Sequence, residues 1–396
     1  MAAMRSVWIL TLAQALAGCG NFVLIAFGGI IGASIEPSPA LATLPLSLAV
    51  VGVAANSIPA ALSMQRYGRR RMFILSALAA SVAALGCAWG IARGDFIAFC
   101  IGATLLGANM AFVQQYRFAA TEHVEVQDVP RAVANVMLGT LVAAFIGPEA
   151  GGRLRGFGGW PEFTGSFIVV AAFLVLSAIV LARLEPPHPH AHPKGGAVRP
   201  LGEIVRQPGY LVALFAGLSS YAVMSFIMTA TPISMHVIDG HDVAATQRVI
   251  TSHLVAMYAP SLVSGWLIAR LGIGRMMIAG IACMAACVAV AAVLGHAVTH
   301  YLAGLMLLGL GWNLLFVAGT TLLTRSYTPP ERFRAQGFND FATFTSQAFA
   351  SLAAGAAITT IGWRNVNLVS IPLLLAMRGA VLAWRRAAGG PTAAMR

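Results

Sequence analysis

The chain has 396 residues, of which 58% are apolar and only 10% charged, and it carries a net charge of +12. A water-soluble globule of that length has too few charges to cover so much apolar side chain, so soluble classes are excluded and an all-α membrane protein is expected. The positive balance then reports loop topology and contact with anionic lipid, and a nucleic-acid partner is not expected.

Charges, prolines and glycines punctuate twelve expected membrane helices, each meeting the roughly 20-residue length of a bilayer crossing. The first, 6–33, lies in a charge-free run from Ser6 to Ile35. It is too long for a signal-peptide core and lacks an Ala-x-Ala site, so it should stay in the membrane with Asn21 near mid-depth. The second, 40–63, carries Asn56 and leads into a basic turn, Met64 to Arg71, containing Arg66, Gly68, Arg69 and Arg70. The third, 72–92, has no Asn, Gln, His, Tyr or charge and is expected to face lipid. The fourth, 96–118, places Asn109 mid-span and Gln114, Gln115 and Arg117 at its inner end. Arg117 is expected to anchor to lipid phosphate or to an inner polar network, with an anionic substrate as the alternative. The fifth, 132–153, holds Gly139, Gly147, Pro148, Glu149, Gly151 and Gly152, and the sixth, 162–183, is again almost wholly apolar.

Residues 185–207 form the one long polar interval, rich in proline, and read as a flexible cytoplasmic linker between an amino-terminal half, 1–184, and a carboxy-terminal half, 208–396. Its alternating His188, His190 and His192 fit unstructured chain better than a metal site, and no metal is expected. The seventh span, 209–236, carries Tyr221; the eighth, 246–269, carries His253, Tyr258 and Pro260. A second basic turn, Arg270 to Arg275 with Gly272, precedes the apolar ninth span, 276–297. The tenth, 301–325, carries Trp312 and Asn313; the eleventh, 335–361, carries Asp340, Thr343 and Gln347; the twelfth, 366–384, carries Arg378.

Landmarks recur between the halves. Arg66 matches Arg270, Leu106-Gly107 matches Leu308-Gly309, Arg131-Ala132 matches Arg334-Ala335, and Trp160 matches Trp363, at offsets of 202 to 204 residues. Two pseudo-symmetric six-helix halves follow, an arrangement common in transporters. Most of the 25 Lys and Arg fall on one side if both termini are cytoplasmic, which sets the expected orientation. The five cysteines all lie inside spans and read as small buried residues.

Polar side chains are costly in hydrocarbon, so they mark helices that face protein or water. Asn21, Asn109, Gln114, Tyr221, Tyr258, Trp312, Asn313 and Gln347 are therefore the expected substrate-binding residues around a water-accessible cavity, against the alternative that single Asn and Gln residues merely join helices. Glu149 and Asp340 are the carboxylates inside spans, and with His253 they are the expected proton-coupling groups. Asp340 has a structural alternative in an ion pair with Arg378, and His253 in a packed hydrogen bond.

The residues resemble the major facilitator superfamily over nearly the whole chain. In that family the loop after the second helix reads Gly-x-Leu-Ala-Asp-Arg-x-Gly-Arg-Arg. Arg66, Gly68, Arg69 and Arg70 match it here, and Gly265, Leu267, Arg270 and Gly272 match it in the second copy. Gln65 and Ala269 stand where the family has an acid, so arginine contacts to helix-end carbonyls are the expected replacement. Gly139, Gly147, Pro148, Gly151 and Gly152 resemble the family's antiporter motif. The resemblance implies gating roles for these residues and alternating access about a midplane site. It also implies a bacterial inner membrane, a small organic substrate, and export against proton entry. The alternatives are proton-coupled uptake of a nutrient or vitamin-like compound and, from another class, a membrane sensor that moves no cargo. The chain is expected to act as a monomer. It shows no Gly-x-Ser-x-Gly elbow, no His-x-x-x-His pair within a single span and no phosphate-binding Gly-x-x-x-x-Gly-Lys loop, so neither an enzyme nor an ATP-driven pump is expected, and no cofactor.

Overall fold

The computed structural model describes residues 2–35, 41, 44–185 and 199–388. Of the expected linker, Pro186, Pro187, Pro189 and Pro193 and His188, His190 and His192 lie outside the described residues. Among the described residues there is no strand. The chain opens with α1 (Ala2–Ile35), α2 (Leu44–Tyr67), α3 (Arg69–Arg93) and α4 (Phe96–Val113). A short α5 (Tyr116–Thr121) follows, then α6 (Val129–Arg153) and α7 (Thr164–Leu181). Inside the expected linker interval α8 (Leu201–Val205) is helical, and beyond it come α9 (Pro208–Pro232), α10 (Val243–Tyr258), α11 (Ser261–Leu271) and α12 (Ile273–Val293). The last three helices are α13 (Val298–Thr324), α14 (Arg332–Leu368) and α15 (Ile371–Ala388).

Ten helical stretches among the described residues are long and apolar enough to cross a bilayer, and α10 with α11, bent by 42° at Pro260, makes an eleventh. The final stretch, Pro329–Ala387, has 59 residues. At the helical rise that is about 89 Å, nearly three times a hydrocarbon core of roughly 30 Å, so it must cross twice. Gly362 breaks it with a φ of 74° and ψ of 169°. Twelve crossings result, in the order expected from the sequence. Two details differ: the eighth span is broken in two, and the fourth continues past residue 118 through buried α5 to Thr121.

The glycines of the two basic turns explain why those turns recur. Gly68 has φ 84° and ψ 149°, Gly272 has φ 81° and ψ 157°, and each sits between one helix and the next. An L side chain is strained in that conformation, so glycine is needed for a turn this tight.

The structure divides into two compact units. One comprises residues 1–126, 135–194 and 336–341; the other comprises 127–134, 195–335 and 342–396. In the first, α3 packs against α4 and α7, and α1 against α7. Leu75, Leu78, Val82, Leu85 and Trp89 of α3 are exposed at helical spacing, while Phe73, Ala77, Ala80, Ala84 and Cys87 are buried. One apolar face thus meets protein and the other is left for lipid, as expected for a span without polar groups. In the second unit α13 is central, packing on α9, α10 and α12.

The duplication extends to helix crossings. In the first unit α4 lies so close to α2 that a Cβ on Gly107 would collide with the Ala49 carbonyl. In the second, α13 meets α10 in the same way, and a Cβ on Gly309 would stand 2.7 Å from the His253 carbonyl oxygen. His253 is thus the counterpart of Ala49. Gly107→Ala is expected to destabilise the protein by about 1–3 kcal/mol through overpacking. Gly86, where an added Cβ has no neighbour within 4 Å, is the control. Gly86→Ala should match or exceed the native melting temperature in detergent, because alanine is the better helix former.

Candidate substrate-binding site

The second unit contains a wall of aromatic rings built from four helices. Tyr221 on α9 meets Trp312 of α13 edge-on at 5.3 Å between centroids, Phe316 at 5.2 Å and Phe344 of α14 at 5.4 Å. Trp312 stacks on Phe316 at 4.9 Å and 18°, and Tyr258 of α10 closes on Trp312 at 5.5 Å. The one-turn interval from Trp312 to Phe316 puts both rings on one face of α13. Trp312 is 1% exposed, and its indole Nε1–H finds no acceptor; the Thr343 hydroxyl, also buried, has no partner either. A buried indole N–H without an acceptor is costly, so the unused donor marks a place where an outside acceptor would be favoured. Tyr258 and Gln347 are half-buried, and Gln347 follows Phe344 by three residues on α14.

Asn313 is placed differently from Trp312. Its side-chain amide donates to the Met257 carbonyl at 2.7 Å and to Ser261 Oγ at 2.7 Å, and its Oδ1 accepts from Ser264 Oγ at 2.6 Å. Met257, Ser261 and Ser264 flank Pro260, where the helix is interrupted. Asn313 therefore ties α13 to both pieces of a broken span, and its hydrogen-bonding capacity is engaged. His253 is fully buried, with Nδ1 2.7 Å from the Leu305 carbonyl and Nε2 without a partner. That is a packed position between α10 and α13.

In the first unit Asn109 is buried with Oδ1 unpartnered, and Asn21 is half-buried on α1. Asn56 donates to the Ala108 carbonyl at 2.8 Å, and Gln14 to Thr140 Oγ1 at 3.0 Å. The glycines of α6 pack that helix onto α1: a Cβ on Gly139 would collide with the Thr11 carbonyl, and one on Gly147 would stand 2.8 Å from that of Cys19. Gly151 lies beside Val23, Gly152 beside Phe27, and Pro148 sits within α6.

The same unit holds a buried charge network. Arg117 Nη2 pairs with Asp340 Oδ1 at 2.6 Å, with side-chain exposures of 0% and 1%. Gln115 donates to Asp340 Oδ2 at 2.8 Å, Asn339 donates to Oδ1 at 3.1 Å, and Arg117 donates to Gln114 at 2.8 Å. Arg69 continues the chain, pairing with Glu122 at 2.7 Å and donating to Gln115 at 3.2 Å and to Gln336 at 2.6 Å. Two cations and two carboxylates thus neutralise one another in a water-poor setting, where a lone charge would be costly.

Two expectations are corrected here, the partner of Asp340 and the shielding of Glu149. Asp340 pairs with Arg117 and not with Arg378. Of the two anchors expected for Arg117, it takes the polar network. Glu149 is not shielded: its side chain is 65% exposed and pairs with Arg153 at 2.7 Å. Glu122, Gln336, Phe316 and Phe344 belong to these clusters and were not singled out from the sequence.

The turn residues divide by exposure. Arg70 donates to the Ala182 carbonyl, an arginine contact of the kind expected where the acid is missing. Arg66 lies over the Tyr67 ring and Arg270 over that of Trp266, each at 5.2 Å. At the end of the linker, Arg199 forms a two-pronged pair with Glu331 at 2.6 and 2.7 Å, and Glu331 closes a capping box with Thr328. That hydrogen-bonded pairing raises the Arg199 pKa above its ordinary value. Among the described residues no group of three or more His, Cys, Asp or Glu is arranged to hold a metal ion.

A twelve-crossing all-helical membrane fold with buried polar and aromatic clusters defines a membrane carrier, and comparison with known proteins gives its family. The sequence pattern of the Major Facilitator Superfamily matches residues 10–246 and 213–394, so the chain belongs to that superfamily and is a multi-pass membrane transporter, not an enzyme. It is 39% identical to the riboflavin transporter RfnT of Brucella anthropi, over 95% of this chain and 97% of that one. It is 28% identical to the uncharacterized MFS-type transporter YdeG of Bacillus subtilis, over 96% and 92%. Among solved structures it resembles the transporter FucP in the outward conformation, with a TM-score of 0.77, 12% identity and coverage of 97% and 99%. A bacterial homologue of the iron transporter ferroportin gives 0.73, 14%, and coverage of 96% and 99%. These last two establish the fold alone.

Proposed function

We propose that the chain carries riboflavin, or a closely related uncharged flavin, inward across the plasma membrane by alternating access. The aromatic wall of Tyr221, Tyr258, Trp312 and Phe316 is the observation that carries this reading. A flavin is a planar fused heteroaromatic ring with carbonyl acceptors and an uncharged polyhydroxyl tail. Such a ring stacks on tryptophan and tyrosine, and its carbonyls suit an indole N–H that lacks an acceptor. No charged side chain belongs to the wall, in keeping with a neutral cargo. The likeness to RfnT supports the same substrate class and favours uptake of a vitamin over export of another small organic compound.

Coupling to protons is part of the proposal. Protonating Asp340 would deprive Arg117 of its counter-charge, so proton binding there would rearrange the network that holds Arg69, Gln115 and Gln336. Proton-driven efflux is the second reading and rests on the small-residue packing of α6 on α1 at Gly139 and Gly147.

Proteoliposomes containing the purified chain test both readings. Internal riboflavin should drive counterflow of labelled riboflavin, unlabelled riboflavin should compete, and riboflavin phosphate should compete poorly because it adds two charges. An inward proton gradient should accelerate accumulation for uptake and deplete preloaded substrate for efflux. Absence of riboflavin counterflow in vesicles that retain folded protein would reject the flavin assignment.

A further inference from the structure

We propose that the groove between α12 and α15 is a binding site for an anionic phospholipid, with an acyl chain along its apolar floor and the headgroup phosphate on Arg378. The groove has a volume of about 580 Å³, and its lining includes Ala282, Ala285, Ala289, Ile371 and Leu375, with Arg378 as its one charged residue. The alanines on α12 leave the hollow; larger side chains on α15 form the opposite wall. All of these residues lie on membrane-spanning helices, so the medium that reaches the groove is lipid.

Charge selects which lipid. Arg378 is exposed and, among the described residues, has no ion pair or hydrogen bond. It lies seven residues before Arg385, or about 10 Å into the span at the helical rise. The stem of Arg385 packs over Gly274, where an added Cβ would stand 2.6 Å from Cδ, so the start of α12 adjoins the end of α15. Arg275, Arg385 and Arg386 are all exposed at that end. An unpaired guanidinium at this depth is unfavourable in hydrocarbon, and it is relieved when the side chain reaches toward the headgroup layer. A phosphate suits the guanidinium fork, and a lipid without a competing amine leaves that phosphate fully available. The basic cluster beyond it adds attraction for net negative headgroups.

Native mass spectrometry of the purified full chain, equilibrated with equal phosphatidylglycerol and phosphatidylcholine in detergent, tests the proposal. The native chain should retain phosphatidylglycerol about tenfold over phosphatidylcholine, as a charge-assisted contact provides. Arg378→Gln should bring the ratio to parity, and Arg378→Lys should keep part of the preference. Ala285→Phe, which fills the hollow, should lose both retained lipids while the protein stays monodisperse. Equal retention of the two lipids by the native chain would overturn the proposal, as would an unchanged ratio in Arg378→Gln. A dimer that Ala285→Phe dissolves would overturn it too, by making a second copy the occupant.

Discussion

Asp340→Asn should destabilise the protein by about 3–5 kcal/mol, because it leaves a fully buried guanidinium without its counter-charge. The Arg117 side chain is 0% exposed. Removing both charges is expected to be far less harmful, since replacing a buried ion pair with apolar groups of similar size is often neutral. The double variant Arg117→Met with Asp340→Leu should therefore melt near the native protein, while each single change melts well below it. The same variants separate structure from coupling. If Asp340 carries the proton, Asp340→Asn molecules that do fold will exchange riboflavin by counterflow yet show no acceleration by a proton gradient. Gradient-driven accumulation at native levels in Asp340→Asn would exclude that role.

Trp312 is the second position with a large expected effect. Trp312→Ala should cost about 3–5 kcal/mol of stability, as for other buried tryptophans, because Tyr221, Tyr258 and Phe316 all lean on its ring. Trp312→Phe is the sharper test of binding. It keeps a ring against Phe316 but deletes the Nε1–H, whose absence costs the fold no hydrogen bond because it makes none. A hydrogen bond to substrate contributes about 0.5–1.5 kcal/mol, so half-saturation for riboflavin should rise up to about tenfold with little change in melting temperature. An unchanged half-saturation would place the substrate away from this ring.

The crossings were legible in the sequence because the bilayer imposes a one-dimensional constraint: a span must be apolar over a set length, and charges must fall between spans. The matching turns at Gly68 and Gly272 were legible for the same reason, since a stop between two spans requires both a reversal and a charge. Side-chain partners were not. Depth alone matches Asp340 to Arg378, yet depth says nothing of direction around a helix, and the partner that lies beside Asp340 is Arg117, 223 residues distant. A hint was present in Gln336 and Asp340, four residues apart and so on one face of α14, opposite a run of Gln114, Gln115 and Arg117. Glu122 was missed because it follows the apolar run and looks like loop, although it is 4% exposed. Phe316 and Phe344 gave no contrast within apolar spans, so the wall emerged only from tertiary packing.

The interruption at Pro260 leaves the second basic turn at the tip of an eleven-residue rod, Ser261–Leu271. Without a continuous backbone ladder behind it, that rod takes its bearing from the Asn313 side chain, which grips it at Ser261 and Ser264. Arg270 lies six to nine residues beyond those two grips, about 9–14 Å at the helical rise. The direction in which α11 carries Arg270 is therefore fixed by a single amide on α13.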